Sequence, residues 1–141
     1  MRRLRNLRPD VTMRLDERPD VVVAEVDVAM MELVIVVLLE NALRFAPADS
    51  EVRAIVRAEE RTGAAIPMAT LRVVDQGPGV PPTDHERIFE EFERGDATGT
   101  GLGLTIARAI CAAHGGSISI VSHDGCGAAF EVQVPAEARA R

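Results

Sequence analysis

Apolar positions change their period several times along this chain, and each change marks an element. Val11, Met13 and Leu15 alternate with polar residues, as in a strand with one buried face. Arg18-Pro19-Asp20 reads as a turn, and the apolar run over 21–26 as a second strand. From 28 to about 45 the residues read as a long helix, with Asp27 placed to cap the first turn and Pro47 to end it. Residues 52–58 and 70–74 carry two more strand patterns, joined through a loop over 63–67 as an antiparallel hairpin. A short helix is expected over about 83–92, followed by a Gly/Asp/Thr stretch whose residues 95–101 should be mobile. A helix over 102–114 stops at Gly115-Gly116, and strands over 117–121 and 128–134 flank a turn at 124–127. The order ββαββααββ, with no internal repeat, predicts an α+β fold. Its expected form is a two-layer α/β sandwich whose mixed sheet is covered on one face by about three helices.

The 141 residues suit a single domain, expected over 10–135, with 1–9 as a linker or the end of an upstream helical domain and 136–141 as a tail. With 47% hydrophobic and 27% charged residues the chain can bury a sizeable core. The charge pattern narrows the chemistry further. All 16 basic residues are Arg, which removes every mechanism that needs a lysine ammonium, the Walker A phosphate loop and Schiff-base formation among them. Phosphates would have to be met by Arg, backbone amides or a metal. A net charge of −6 and the absence of Trp and Tyr leave neither a basic surface nor a stacking platform, so no nucleic-acid partner is expected. The Arg-rich start, Arg2, Arg3, Arg5 and Arg8, reads as a solvated tail or the end of an earlier element. The longest apolar run, 33–39, falls far short of the roughly 20 residues a membrane span needs, so no membrane insertion is expected. Cys111 and Cys126 lack metal-site spacing, which fits a reducing compartment.

Three stretches could carry chemistry. On the long helix Val37, Asn41, Arg44 and Phe45 stand at i, i+4, i+7 and i+8 and so share a face. Asn41 and Arg44 are either a satisfied polar pair or a hard oxygen ligand for magnesium beside a phosphate-binding guanidinium. Asp75-Gln76-Gly77-Pro78-Gly79 ends a strand in a carboxylate and two glycines. A turn requiring positive φ explains the glycines; a pocket carboxylate accepting from an exocyclic amino group is the alternative. Gly99-Thr100-Gly101-Leu102-Gly103-Leu104 feeds directly into a helix, whose unpaired first amides favour an anion; a flexible linker is the alternative. Between the last two stretches, Phe89 and Phe92 read as core anchors.

The order and spacing of these stretches resemble the GHKL ATP-binding fold. Leu38 to Phe45, with Asn41 and Arg44, looks like its N box, Asp75 to Gly79 its first glycine box, Phe89 to Arg94 its F box and Gly99 to Leu104 its second glycine box. The F box, Gly101-Leu102-Gly103-Leu104 and His114-Gly115-Gly116 resemble sensor histidine kinases among its members. Asp75 to Pro82 and Glu91 to Gly95 are particularly similar to the potassium-responsive sensor kinases.

The resemblance implies an ATP-binding catalytic domain that positions Mg-ATP for γ-phosphoryl transfer to a histidine on a separate dimerisation domain. Asn41 would ligate Mg2+, Arg44 would meet phosphate as the second catalytic residue, and Phe45 would lie near the nucleotide. Asp75 would read the adenine amino group while Gly77 and Gly79 let the backbone approach the base. Val80, Phe92, Arg94, Thr98, Gly99, Thr100, Gly101, Leu102, Gly103 and Leu104 complete the implied nucleotide contacts, with the glycines forming a lid. His85, His114 and His123 read as local structure rather than phosphoacceptors. The implied partners are a phosphoacceptor helical domain of the same or another kinase chain and a downstream response regulator; the implied location is cytoplasmic, whether or not the parent sensor is anchored in the cell membrane. Two departures, Val37 where the family often has Asn and Ala128 where it often has Thr, point to the rival expectation of a catalytically degenerate nucleotide-binding module. An anti-sigma-factor serine kinase of the same fold is a third.

Overall fold

The computed structural model describes residues 7–16, 23–59, 67–80, 82–90, 103–122 and 127–136. Five strands, β1 (Thr12–Asp16), β2 (Glu51–Glu59), β3 (Met68–Val74), β4 (Ser117–Ser122) and β5 (Ala128–Pro135), form one sheet in the order β1-β2-β3-β5-β4. β1 and β2 are parallel and the other neighbours antiparallel, so the sheet is mixed as expected. Two α-helices, α1 (Val28–Phe45) and α2 (Gly103–Ala113), cover one face. The core lies between the layers. α1 contributes Val34, Leu38, Leu39, Ala42 and Leu43, α2 contributes Ala107, Ile110 and Cys111, and the sheet contributes Val52, Val73, Phe130 and Val132. Cys111 is packing here, and burial pushes its thiol pKa up, away from the reactive thiolate.

The ends of α1 are fixed by specific groups. Asp27 caps the first turn by accepting from the Met30 N–H at 3.0 Å. The Asp27 N–H in turn donates to His114 Nε2 at 3.0 Å, while His114 Nδ1 lies 2.8 Å from the Ile110 carbonyl. Nε2 accepts, so Nδ1 is the donor, and the ring ties the start of α1 to the end of α2. With Val37 against Gly103 at the other end, the two helices run antiparallel.

At the C-terminus of α1 the Arg8 guanidinium donates to the Leu43 and Ala46 carbonyls at 2.9 and 3.0 Å and grips Asp10 through two further bonds. Those carbonyls have no helical partner of their own, so a cation there satisfies both hydrogen bonding and the helix dipole. Arg8, expected in a solvated tail, is therefore part of the fold.

Two elements depart from expectation. Residues 23–26 alternate between exposed and half-buried as a strand does, but they pair with no strand among the described residues; the segment climbs to Asp27 instead, with Ala24 and Val26 packed on the core. Strand propensity needs an available edge to be realised. Of the short helix expected over 83–92, the part that lies among the described residues, 83–90, is made of 3-10 turns instead, Pro82–Asp84 and Arg87–Phe89. Phe89 is drawn into the core, edge-on to Phe130 with ring centroids 6.2 Å apart, and its carbonyl accepts from Thr105 Oγ1. Anchoring one aromatic side chain thus replaces helical continuity. Among the described residues two α-helices and two 3-10 turns stand where about three helices were expected.

The Arg8 hydrogen bonds hold the Asp10 carboxyl down at about 2. A depressed carboxylate stabilises the fold above its unfolded value near 3.9 and loses that contribution as pH falls through the folded value. The stability difference between the native chain and Asp10→Asn, followed by thermal melts, should be constant above about pH 5 and shrink as pH falls from about 4 to about 2.

Candidate functional site

The sequence-predicted groups meet along the C-terminal half of α1. At one end of this stretch Val37 packs against α2, where a Cβ on Gly103 would lie 3.3 Å from Val37 Cγ1. At the other end the Phe45 carbonyl faces Gly77, where a Cβ would come within 2.6 Å of it. Eight residues of helix separate the two contacts, about 12 Å of rise. Asn41 and Arg44 stand between them, Asn41 half-buried and Arg44 exposed with no ion pair to a described residue. The loop after β3 and the start of α2 thus both meet the same half of α1, although Phe45 and Gly77 are 32 residues apart in the chain and Val37 and Gly103 are 66 apart.

Asp75 is the most deeply placed of the predicted polar residues, 2% exposed. Its Oδ1 accepts from the Gly77 N–H at 2.8 Å, closing the turn through the side chain. Gly127 lies beneath it with φ +92°, and a Cβ there would fall 2.1 Å from the Asp75 carbonyl oxygen and 3.0 Å from Gln76 Cα. Gly79, at φ +79°, lies above the Gly127 carbonyl. The positive-φ turn expected at both Gly77 and Gly79 therefore holds only at Gly79. Gly77 is needed for a different reason: the end of α1 comes too close for a side chain.

Val80 is half-buried and its carbonyl lies 2.9 Å from His85 Nε2, which donates to it. Phe45 is 47% exposed, leaving its ring free to meet a ligand, and Leu104 is half-buried against the core. Phe92, Arg94, Thr98, Gly99, Thr100, Gly101 and Leu102 lie outside the described residues, as do His123 and Cys126. The sequence reading missed Gln76, whose Oε1 accepts from the Glu51 N–H at 2.9 Å, and it treated Gly127 only as part of a turn. Gln76 follows the end of β3 and Gly127 precedes the start of β5, so their relation to Glu51 and Asp75 appears only once the strand pairing is known.

A cavity of about 640 Å³ lies elsewhere, lined by Glu25, Val26, Asp27, Ala113, His114, Pro135 and Ala136. It sits at the opposite end of α1 from Asn41, and its ring nitrogens and capping carboxylate are already engaged with one another's elements. Among the described residues no three His, Cys, Asp or Glu side chains are grouped to hold a metal. A single amide oxygen at Asn41 suits Mg2+, which takes most of its ligands from water and phosphate.

Residues 26–138 match the family described as "Histidine kinase-, DNA gyrase B-, and HSP90-like ATPase". The chain is similar to the sensor protein KdpD of Escherichia coli, 39% identical over 114 residues, which are 78% of this chain and 12% of that protein. It is 40% identical over 105 residues to the sensor-like histidine kinase SenX3 of Mycobacterium tuberculosis, covering 70% of this chain and 24% of the relative. This chain thus spans about a quarter or less of these curated relatives. Among solved structures, the mycobacterial sensor histidine kinase MprB superposes with a TM-score of 0.76 over 96% of this chain and 89% of that one, at 28% identity. Full-length ShkA in complex with AMPPNP superposes at 0.71 over 99% of this chain and 30% of that one, at 27% identity.

Gly127→Ala should displace the Asp75 turn, because the new Cβ meets backbone and φ is unfavourable at once. A loss of at least about 2 kcal/mol in denaturant-unfolding stability is expected, against less than about 1 kcal/mol for Ala at an exposed helix position such as Glu40.

Proposed function

This chain belongs to the histidine kinase-, DNA gyrase B- and HSP90-like ATPase family, and from that membership we propose that it binds Mg-ATP between α1 and the Asp75 loop and presents the γ-phosphoryl group to a histidine of a separate helical domain. The observation that carries the reading is the bracketing of Asn41 and Arg44 by the Val37–Gly103 and Phe45–Gly77 contacts, with a buried carboxylate at Asp75 beside the second. The AMPPNP complex of the similar ShkA supports a nucleotide in this fold.

Each group has a distinct task. The Asp75 carboxylate accepts a hydrogen bond from the adenine amino group. A guanine presents a carbonyl oxygen at the equivalent position, so the buried carboxylate would face a second acceptor in place of a donor, which costs more than a lost contact. Gly77 and Gly79 keep the adjoining backbone free of side chains, and the Phe45 ring covers the nucleotide from the end of α1. Arg44 meets phosphate oxygens, and Asn41 holds the magnesium, which neutralises phosphate charge when bound. Val80 and Leu104, with Phe92, Arg94, Thr98, Gly99, Thr100, Gly101, Leu102 and Gly103, complete the nucleotide enclosure. Positioning and charge neutralisation are most of what phosphoryl transfer requires.

The receiving nucleophile comes from outside the described site. His114 has both ring nitrogens engaged at the opposite end of α1 from Asn41, and His85 is held to the Val80 carbonyl through Nε2. The partners proposed are a phosphoacceptor helical domain of the same or another chain and, downstream, a response regulator. A second reading, a module that binds ATP without transferring phosphate, is favoured by Val37, which gives an apolar contact to Gly103 where a polar group would assist the metal. Transfer of label from ATP to an added acceptor domain supports the first reading; binding without transfer supports the second.

Calorimetric titration with a nonhydrolysable ATP analogue should show that Asn41→Ala loses mainly the magnesium-dependent part of the affinity. Asp75→Ala should lose about 1–3 kcal/mol and the preference for adenine. Equal affinity of the native chain for ATP and GTP analogues would contradict the role of Asp75.

A further inference from the structure

β2 and β3 pair with Arg53 opposite Val74, so continuing the register puts Glu51 opposite Gln76. The direction of the Glu51 N–H follows from its neighbour. The Ser50 carbonyl points to β1, where it accepts from the Thr12 N–H at 3.0 Å, and successive residues of a strand alternate their hydrogen-bonding edges. Glu51 therefore directs its N–H toward β3, and in an unbroken ladder the Gln76 backbone carbonyl would receive it. β3 ends at Val74, however, and the bond is made instead by the Gln76 side chain, whose Oε1 lies 2.9 Å from the Glu51 nitrogen.

We infer that Gln76 is a positioning residue for nucleotide recognition: its side-chain amide takes the place of its own backbone carbonyl in the β2–β3 ladder. That substitution frees residues 75–77 to leave the sheet and turn the Asp75 carboxylate inward. The inference rests on the adenine-reading role proposed for Asp75 and assigns the residue that fixes where that carboxylate stands. Three constraints act on the same peptide. Gly127 lies beneath it, the Phe45 carbonyl closes on Gly77 beside it, and the Gln76–Glu51 bond ties it to the start of β2. Glu51 follows the end of α1 by six residues, so this bond also sets the spacing between the Asp75 loop and the helix that carries Asn41 and Arg44.

The role requires an acceptor at that reach and nothing else, because Glu51 offers a donor. Glutamate supplies one with the same chain length; leucine fills comparable volume and supplies none. Calorimetry on the native chain, Gln76→Glu and Gln76→Leu, with nonhydrolysable ATP and GTP analogues and magnesium, separates the possibilities. Hydrogen exchange of the Glu51 amide is followed in parallel. Gln76→Leu should weaken the ATP analogue about three- to tenfold, the scale of one net hydrogen bond, reduce the ATP-over-GTP ratio and speed exchange at Glu51. Gln76→Glu should stay within about twofold of the native chain on all three readouts. If the native chain prefers adenine and Gln76→Leu keeps that ratio, or if Gln76→Glu is impaired as much as Gln76→Leu, the positioning role is wrong while the proposed function stands. If the native chain shows no adenine preference, the reading of Asp75 fails first and this inference with it.

Discussion

The site depends on three pieces of main chain lying closer together than side chains would allow. Where α1 ends, the Phe45 carbonyl occupies the space a Cβ on Gly77 would need; one strand over, the Asp75 carbonyl occupies the space of a Cβ on Gly127. These are backbone-to-backbone contacts, which cannot relax by rotating a side chain. They place the Asp75 turn between the last turn of a helix and the start of β5, and so fix a buried carboxylate at a set distance from the helix face that carries Asn41 and Arg44. Hydrophobic burial holds the two layers together, but it does not specify this geometry. The absence of a Cβ at two positions does.

The rest of the fold supplies the frame for that contact. α1 is held at both ends by groups far away in sequence, His114 at its start and Arg8 at its finish, so its position along the sheet is set by hydrogen bonds as well as by Val34, Leu38 and Leu43 in the core. The open face of the sheet is polar, and there Arg72, Glu131 and Gln133 form a hydrogen-bonded row across β3 and β5. Glu131 and Gln133 are nonetheless buried, shielded by their neighbours on the sheet. Among the described residues, one face therefore packs against helices and the other is closed by its own side chains.

Much of this architecture was legible in the chain. The α1 boundaries followed from Asp27 and the break at Pro47, and the two hairpins from alternation bounded by turn residues, because these signals are local. The failures were those where partners decide. The apolar run at 21–26 has strand propensity, but 23–26 find no pairing edge among the described residues, and the expected helix over 83–92 gives way to placing Phe89 against Phe130. Arg8 looked like tail because its acceptors, the carbonyls of Leu43 and Ala46, lie about 35 residues on. At the site, Asn41, Asp75 and the glycines stood out by residue type and order. Gln76 did not, since its meaning is a register relation between two strands, and Gly77 was assigned a conformational reason where the operative one is crowding.

The account's central claim is that the α1 face, the Asp75 loop and the start of α2 belong to one nucleotide cleft. Backbone amide shifts recorded by NMR while a nonhydrolysable ATP analogue is added with magnesium test this directly. The account predicts that the amides of 41–45, 75–77 and 103–104 move together along one saturation curve, with little change at His114 and Glu25. Shifts confined to one of these stretches, or centred on the cavity between Glu25 and His114, would contradict it.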